Sequence, residues 1–236
     1  MALTFLELVR QKECRMSQFL QHEIHFFFFC LTTLFTLINP IGISPILIIM
    51  TERFSKQEKV EIARKGSLTA FLTLILFSIL GSVIFNFFGI TIEAFQIMGG
   101  ILFFRNGLKM LDSKIGRSRT TPAEQEESEE SNDIAVSPIG IPLIAGPGAI
   151  TATMLLSSQT PQFYSYFTLT FSIFFVLSVV YIILRNGDLL LKLLGTSGTR
   201  IIQRLMGLIL MVIAVQFVIN GILSIYKPLI SQSIID

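Results

Sequence analysis

The sequence predicts an all-α integral membrane protein of six transmembrane helices, built as a 3+3 inverted-topology repeat with helices 1 and 4 broken. Three observations point there. Hydrophobic residues make up 52% of the 236 positions and charged residues only 14%. With a mean hydropathy of +0.70, the chain has too little charge to cover a soluble surface of its size. Charge-free windows recur at the length of a bilayer crossing. Two apolar segments rich in proline and glycine, one in each half, also repeat one another.

An ionised side chain at the centre of a span costs several kcal/mol, so windows without charge mark the crossings. Residues 1–25 read as an N-terminal tail. Within it Arg10, Lys12 and Arg15 all precede Met16, which is the expected start of the translated chain. The first crossing is 26–51 and the second 66–92. The third, 94–111, is interrupted only by Arg105 and Lys109 near its end. Together, 26–112 form the first repeat. The linker "SKIGRSRTTPAEQEESEESND" (113–133) is polar and acidic with almost no apolar anchor, the composition of a disordered tether. No charge follows from 134 to 184, which is room for two crossings joined by the turn "SSQTPQF" (157–163). The last crossing is 205–226, closing a second repeat over 134–226 and leaving 227–236 as a tail.

Lysine and arginine set the orientation. The first connection holds Arg53, Lys56, Lys59, Arg64 and Lys65. The third holds Lys109, Lys114, Arg117 and Arg119, and the fifth Arg185, Lys192, Arg200 and Arg204. The second and fourth connections hold none. The positive-inside bias therefore puts both termini outside the cytoplasm of a cell inner membrane.

The repeat is read from "INPIGISPILI" (38–48) against "VSPIGIPLIAG" (136–146), and from "QIMGGIL" (96–102) against "RLMGLIL" (204–210). Each of the latter pair follows a Phe/Leu-Gly step, Phe88-Gly89 and Leu194-Gly195. Three crossings per half is an odd number, so the second half enters the membrane from the opposite side. Secondary transporters share this architecture and bind their substrates near the midplane, where the halves meet.

Proline removes a backbone donor and glycine does not enforce helical geometry. The helix-breaking set is Pro40 and Pro45 in one half and Pro138, Pro142 and Pro147 in the other. In lipid, every freed backbone group must face protein or water. A half-helix starting after Gly148 would offer amides and a positive dipole end to a carboxylate, and opposing carbonyls would suit an ammonium group or sodium. The predicted partner, besides the lipid bilayer, is thus a small zwitterion. The predicted binding residues are Asn39, Gly42, Ser44, Ser137, Gly140, Gly146, Gly148 and Thr151. Arg105 is either a counter-charge for the substrate or a snorkelling residue. Asn86, Gln96, Gln216 and Asn220 are candidates for bonds across the bundle.

No Asp or Glu falls at mid-span, so coupling, where it exists, would use sodium on carbonyls and hydroxyls or a proton. Cys14 and Cys30 form no metal or disulfide framework, and His22 and His25 sit at a membrane boundary; no metal or cofactor is predicted. The basic residues are scattered, which gives no nucleic-acid surface. HExxH, Ser/Lys, Ser/His and paired intramembrane aspartates are all missing from the sequence, so an enzyme is not predicted. Oligomeric state is left open.

"NPIGISP" (39–45), with "DIAVSPIGIPLIAGPGAIT" (133–151), "FFGITIEAFQIMGGILFF" and "GTRIIQRLMGLILMVIAVQFVINGI", resembles the paired signature of the MarC family over about residues 26–224. The resemblance implies a six-helix inner-membrane protein, grouped with neutral amino-acid transporters in a superfamily similar to LysE-type exporters. Members carry an aromatic residue where this chain has Ser137 and alanine where it has Gly140. The resemblance carries over no established binding residue. A non-transporting membrane scaffold, in which the breaks only shape helix packing, is the alternative.

Overall fold

The computed structural model describes residues 2–112, 135–158 and 163–232, and every regular element among them is helical. In chain order these are α1 (Ala2–Ile38), α2 (Pro40–Met50), α3 (Lys56–Phe88) and α4 (Ile92–Asp112). A π-helix (Ala135–Ile144) follows, then α5 (Pro147–Ser158), α6 (Phe163–Arg185) and α7 (Gly187–Gln232). The acidic linker and most of the turn at 157–163 lie outside the described residues. Backbone helix runs back to Ala2, through the stretch read from sequence as a tail.

Among the described residues, four helical stretches are long and apolar enough to cross a bilayer: Met16–Met50, Lys56–Phe88, Tyr164–Arg185 and Ser197–Tyr226. α4 has the length, about 31 Å at 1.5 Å per residue. Its mean hydropathy is lowered by Glu93, Arg105, Lys109 and Asp112. The π-helix and α5 are each too short and are separated by a break.

The helices are sorted as a bilayer solvent requires. On α3 the inward face is mostly small or polar, with Ala63, Gly66, Ser67, Ala70, Ser78 and Gly81 buried alongside Ile62, Leu74 and Phe85. Leu68, Leu72, Leu76, Ile79 and Val83 are exposed on the opposite face. α6 buries Ser165 and Ser172 among aliphatic residues such as Leu169, Ile173 and Leu177 while exposing Phe167, Phe171 and Phe174. Small inward residues let backbones approach where lipid offers no hydrophobic drive to association.

The most extensive contact in the molecule is between α4 and α7, which run antiparallel. Glycine makes this possible. A Cβ on Gly107 would lie 2.8 Å from the carbonyl oxygen of Gly207, and a Cβ on Gly207 would lie 2.8 Å from that of Gly107. A Cβ on Gly100 would similarly meet the Ala214 carbonyl at 2.7 Å. Larger residues would push the two helices apart.

Two further glycines sit at matching turns. Gly89 (φ 63°) ends α3, where the amide of Ile90 donates back to the Phe85 carbonyl at 2.9 Å. Gly195 (φ 63°) kinks α7 and separates residues 187–194 from the long arm that packs on α4. These are the two Phe/Leu-Gly steps noted in the sequence; both take a positive φ that glycine enters without a Cβ penalty, Gly89 left-handed with ψ 27° and Gly195 extended with ψ −179°.

Candidate functional site at the helix breaks

The first break is a single residue. Asn39 takes φ 52°, ψ 62°, a left-handed conformation that asparagine tolerates better than other side-chain-bearing residues. Its side chain turns forward to cap α2, with the Gly42 amide donating to Oδ1 at 3.2 Å. The Gly42 and Ile43 amides also reach the Asn39 carbonyl, at 3.0 and 3.1 Å. Pro40 follows at the first helical position, where no N–H is needed. Gly42 is a steric requirement of this cap, because a Cβ there would fall 2.2 Å from Asn39 Nδ2. Of the first four residues of α2, only Ile41 keeps an amide with no acceptor among the described residues.

The second break is built differently. The Ala145 amide donates to Gly140 at 2.9 Å, five residues back, closing the π-helix. Within it the Ile141–Pro142 peptide bond is cis. Gly146 lies between the helices, and Pro147 opens α5. The Ile150 amide bonds to the Gly146 carbonyl at 3.0 Å, but the amides of Gly148 and Ala149 have no acceptor among the described residues. Both residues are buried. No side chain caps this terminus.

The two breaks adjoin. The space a Cβ on Gly148 would enter is bounded by Leu37 Cδ2 at 3.2 Å, two residues before the first break, and by Asn106 Nδ2 of α4 at 3.0 Å. The π-helix also touches α2. Of the predicted residues, Gly148 lies against Leu37 at the end of α1, with Gly146 and Pro147 next to it in sequence.

Others serve their own helices. Ser44 is buried but bonds the Pro40 carbonyl at 2.8 Å. Thr151 packs its methyl at 3.4 Å from a Cβ position on Gly99 of α4. Pro45 lies inside α2 without breaking it. Gly140 is buried and Pro142 exposed within the π-helix; Ser137 and Pro138 belong to it too, their side chains outside the described residues. Arg105 is exposed on α4, so it is the neighbouring Asn106 that turns to Gly148. Gln216 bonds Asn220 at 2.7 Å along an exposed face of α7 rather than across the bundle.

Sequence reasoning missed two polar residues. Asn106 was hidden by its charged neighbour. Glu23 was passed over because it lies three residues before the charge-free window, yet it is buried against α6. Separately, a crevice of about 810 Å³ opens at the far end of α5, lined by Ser78, Ser82, Asn86, Glu93, Ser158 and Tyr166 among others. Ser78 Oγ and Tyr166 Oη lie 2.9 Å apart on its wall.

Long apolar helices, lipid-type sorting of side chains and backbone breaks turned toward the interior define a multi-pass integral membrane protein. The family model described as MarC family integral membrane protein matches residues 24–226. Relatives named UPF0056 membrane protein include one from Methanocaldococcus jannaschii, 35% identical over 89% of this chain and 92% of its own. Another, from Pyrococcus abyssi, is 39% identical over 80% of this chain and 90% of its own. A third, from Buchnera aphidicola, is 34% identical over 84% and 92%. The chain belongs to the MarC family. No solved structure matches it.

Proposed function

We propose that this protein is a secondary transporter or exporter of small neutral amino acids in the bacterial inner membrane. On this reading its six crossings are two inverted halves, α1–α4 and the π-helix through α7. The broken helix α1/α2 corresponds to the π-helix/α5 pair, α3 to α6, and α4 to the long arm of α7. Two paired features support it: a break opening on proline in each half and a positive-φ glycine before each third crossing. The lysine and arginine bias supports termini outside the cytoplasm.

The observation that carries the reading is the pair of buried, open amides of Gly148 and Ala149 beside the first break. An unsatisfied amide in an apolar interior costs roughly 1–3 kcal/mol, so a protein that keeps two has a use for them. At the start of a helix they suit a carboxylate. The amide of Asn106 and the carbonyls at the end of α1 supply polar partners for the rest of a zwitterion.

Counterflow of labelled glycine, alanine and serine into proteoliposomes tests this proposal. Saturable uptake against preloaded unlabelled amino acid is the expected result. Absence of uptake for all three, with protein shown to be folded and inserted, would favour the scaffold reading instead.

A further inference from the structure

Glu23 of α1 is 9% exposed and belongs to the stretch Met16–Met50, which is long and apolar enough to cross a membrane. Both its oxygens meet hydroxyls of α6. Ser165 Oγ donates to Oε1 at 2.6 Å and Thr168 Oγ1 to Oε2 at 2.5 Å. Both hydroxyls belong to the crossing stretch Tyr164–Arg185. Distances this short are typical of hydroxyls bonded to an ionised carboxylate.

Among the described residues, the ionisable side chain nearest to it is His22, on the same helix. Its Nδ1 is 3.6 Å from Oε1, too far for a hydrogen bond, and its side chain is 73% exposed. The facing stretch of α6 offers hydroxyls and aromatic rings, with Tyr164 and Tyr166 its only ionisable groups. His25 is exposed on α1. Among the described residues the hydrogen bonds to Glu23 come from neutral hydroxyls, with the exposed His22 its one ion-pair partner when protonated; a buried carboxylate is costly in a membrane and normally takes a counter-charge.

Thr168 Oγ1 lies 3.1 Å from the Tyr164 carbonyl oxygen as well as against Glu23, and a hydroxyl has one proton to give. Two carboxylate oxygens and two hydroxyl oxygens from two helices thus meet at one point of the seam. A hard monovalent cation fits such a set.

We infer that Glu23, Ser165 and Thr168 form a monovalent-cation site at the α1–α6 seam, filled by sodium or by a proton. It is separate from the helix breaks and does not depend on the transport reading. Because it joins helices more than 140 residues apart in sequence, occupancy sets how firmly α1 is held to α6. In a transporter this is where the coupling ion would sit.

The test is labelling of the full chain in lipid nanodiscs with dicyclohexylcarbodiimide, which attacks protonated carboxyls in apolar surroundings. The label on the Glu23 peptide is read by mass spectrometry. Labelling would be compared in choline and in sodium buffer, at about pH 6 and about pH 8. Labelling in choline that sodium suppresses identifies a sodium site, and labelling that falls with pH but ignores sodium identifies a proton site. No label under any condition, or label indifferent to both, overturns the inference. The Ser165→Ala/Thr168→Val variant should shift the protecting sodium concentration or the pH midpoint by roughly tenfold or one unit. An unchanged response would remove the hydroxyls from the site.

Discussion

The two helix breaks look alike in sequence and differ in chemistry. At the first, Asn39 folds its own side chain over the start of α2 and leaves one amide open. At the second, a Gly-Pro-Gly step starts α5, and among the described residues no side chain caps it and two buried amides find no acceptor. A proline at the first helical position costs nothing in either. What separates the breaks is the residue before it: asparagine supplies a cap, and Gly146 cannot. The first break therefore reads as a structural hinge point that satisfies itself, and the second as the terminus left for a ligand. A symmetric pair of motifs has become an unequal pair of sites.

Substitutions can break this comparison. The largest effect is expected from Gly148→Leu. A Cβ alone would stand 3.0 Å from Asn106 and 3.2 Å from Leu37, and a whole leucine overpacks the junction by about 1–3 kcal/mol. Counterflow should vanish and the thermal midpoint fall by several degrees. A leucine accepted with full activity would mean that the junction is not packed as described.

Asn39→Ala removes the cap of α2 and should cost about 1 kcal/mol, or about 3 °C in Tm. Gly42→Ala should cost about the same for a different reason, since its methyl displaces the same side chain. Because both damage one cap, the double variant should be less destabilised than the two costs added together. Additive losses in a thermal-shift series would show that Asn39 and Gly42 act independently.

The smallest effect is expected from Asn106→Ala. Its side chain is partly exposed and makes no hydrogen bond among the described residues, so stability should change by less than about 0.5 kcal/mol. If its amide meets the substrate, KM for alanine in counterflow should rise about fivefold, the value of one hydrogen bond. A shift in Tm without a shift in KM would make it a packing residue.

Much of this was legible from residue types. Proline and glycine act through the backbone, so "NPIG" and "AGPGAI" announced breaks wherever they fell, and the Phe/Leu-Gly steps announced the turns at Gly89 and Gly195. Proline alone did not locate a break, however. Pro45 stays inside α2, where the only loss is the amide that would have reached the Ile41 carbonyl. The first break falls at Asn39 because that residue can be left-handed and cap at once. The direction of side chains was not legible. Arg105 and Asn106 are adjacent, and only the rotation of α4 on α7, set by Gly100, Gly107 and Gly207, turns the amide inward and the charge outward. Glu23 escaped for a related reason: a rule that ends a span at the first charge cannot see a carboxylate that hydroxyls on a distant helix have made acceptable.

The central claim is that substrate meets the open amides of α5 and not the capped start of α2. Counterflow of labelled alanine by Gly148→Ala and Asn39→Ala, in proteoliposomes matched for folded protein, tests it most directly. The account predicts that Gly148→Ala loses about tenfold or more in flux while Asn39→Ala stays within about threefold of the parent. Equal losses, or a greater loss at Asn39, would contradict it.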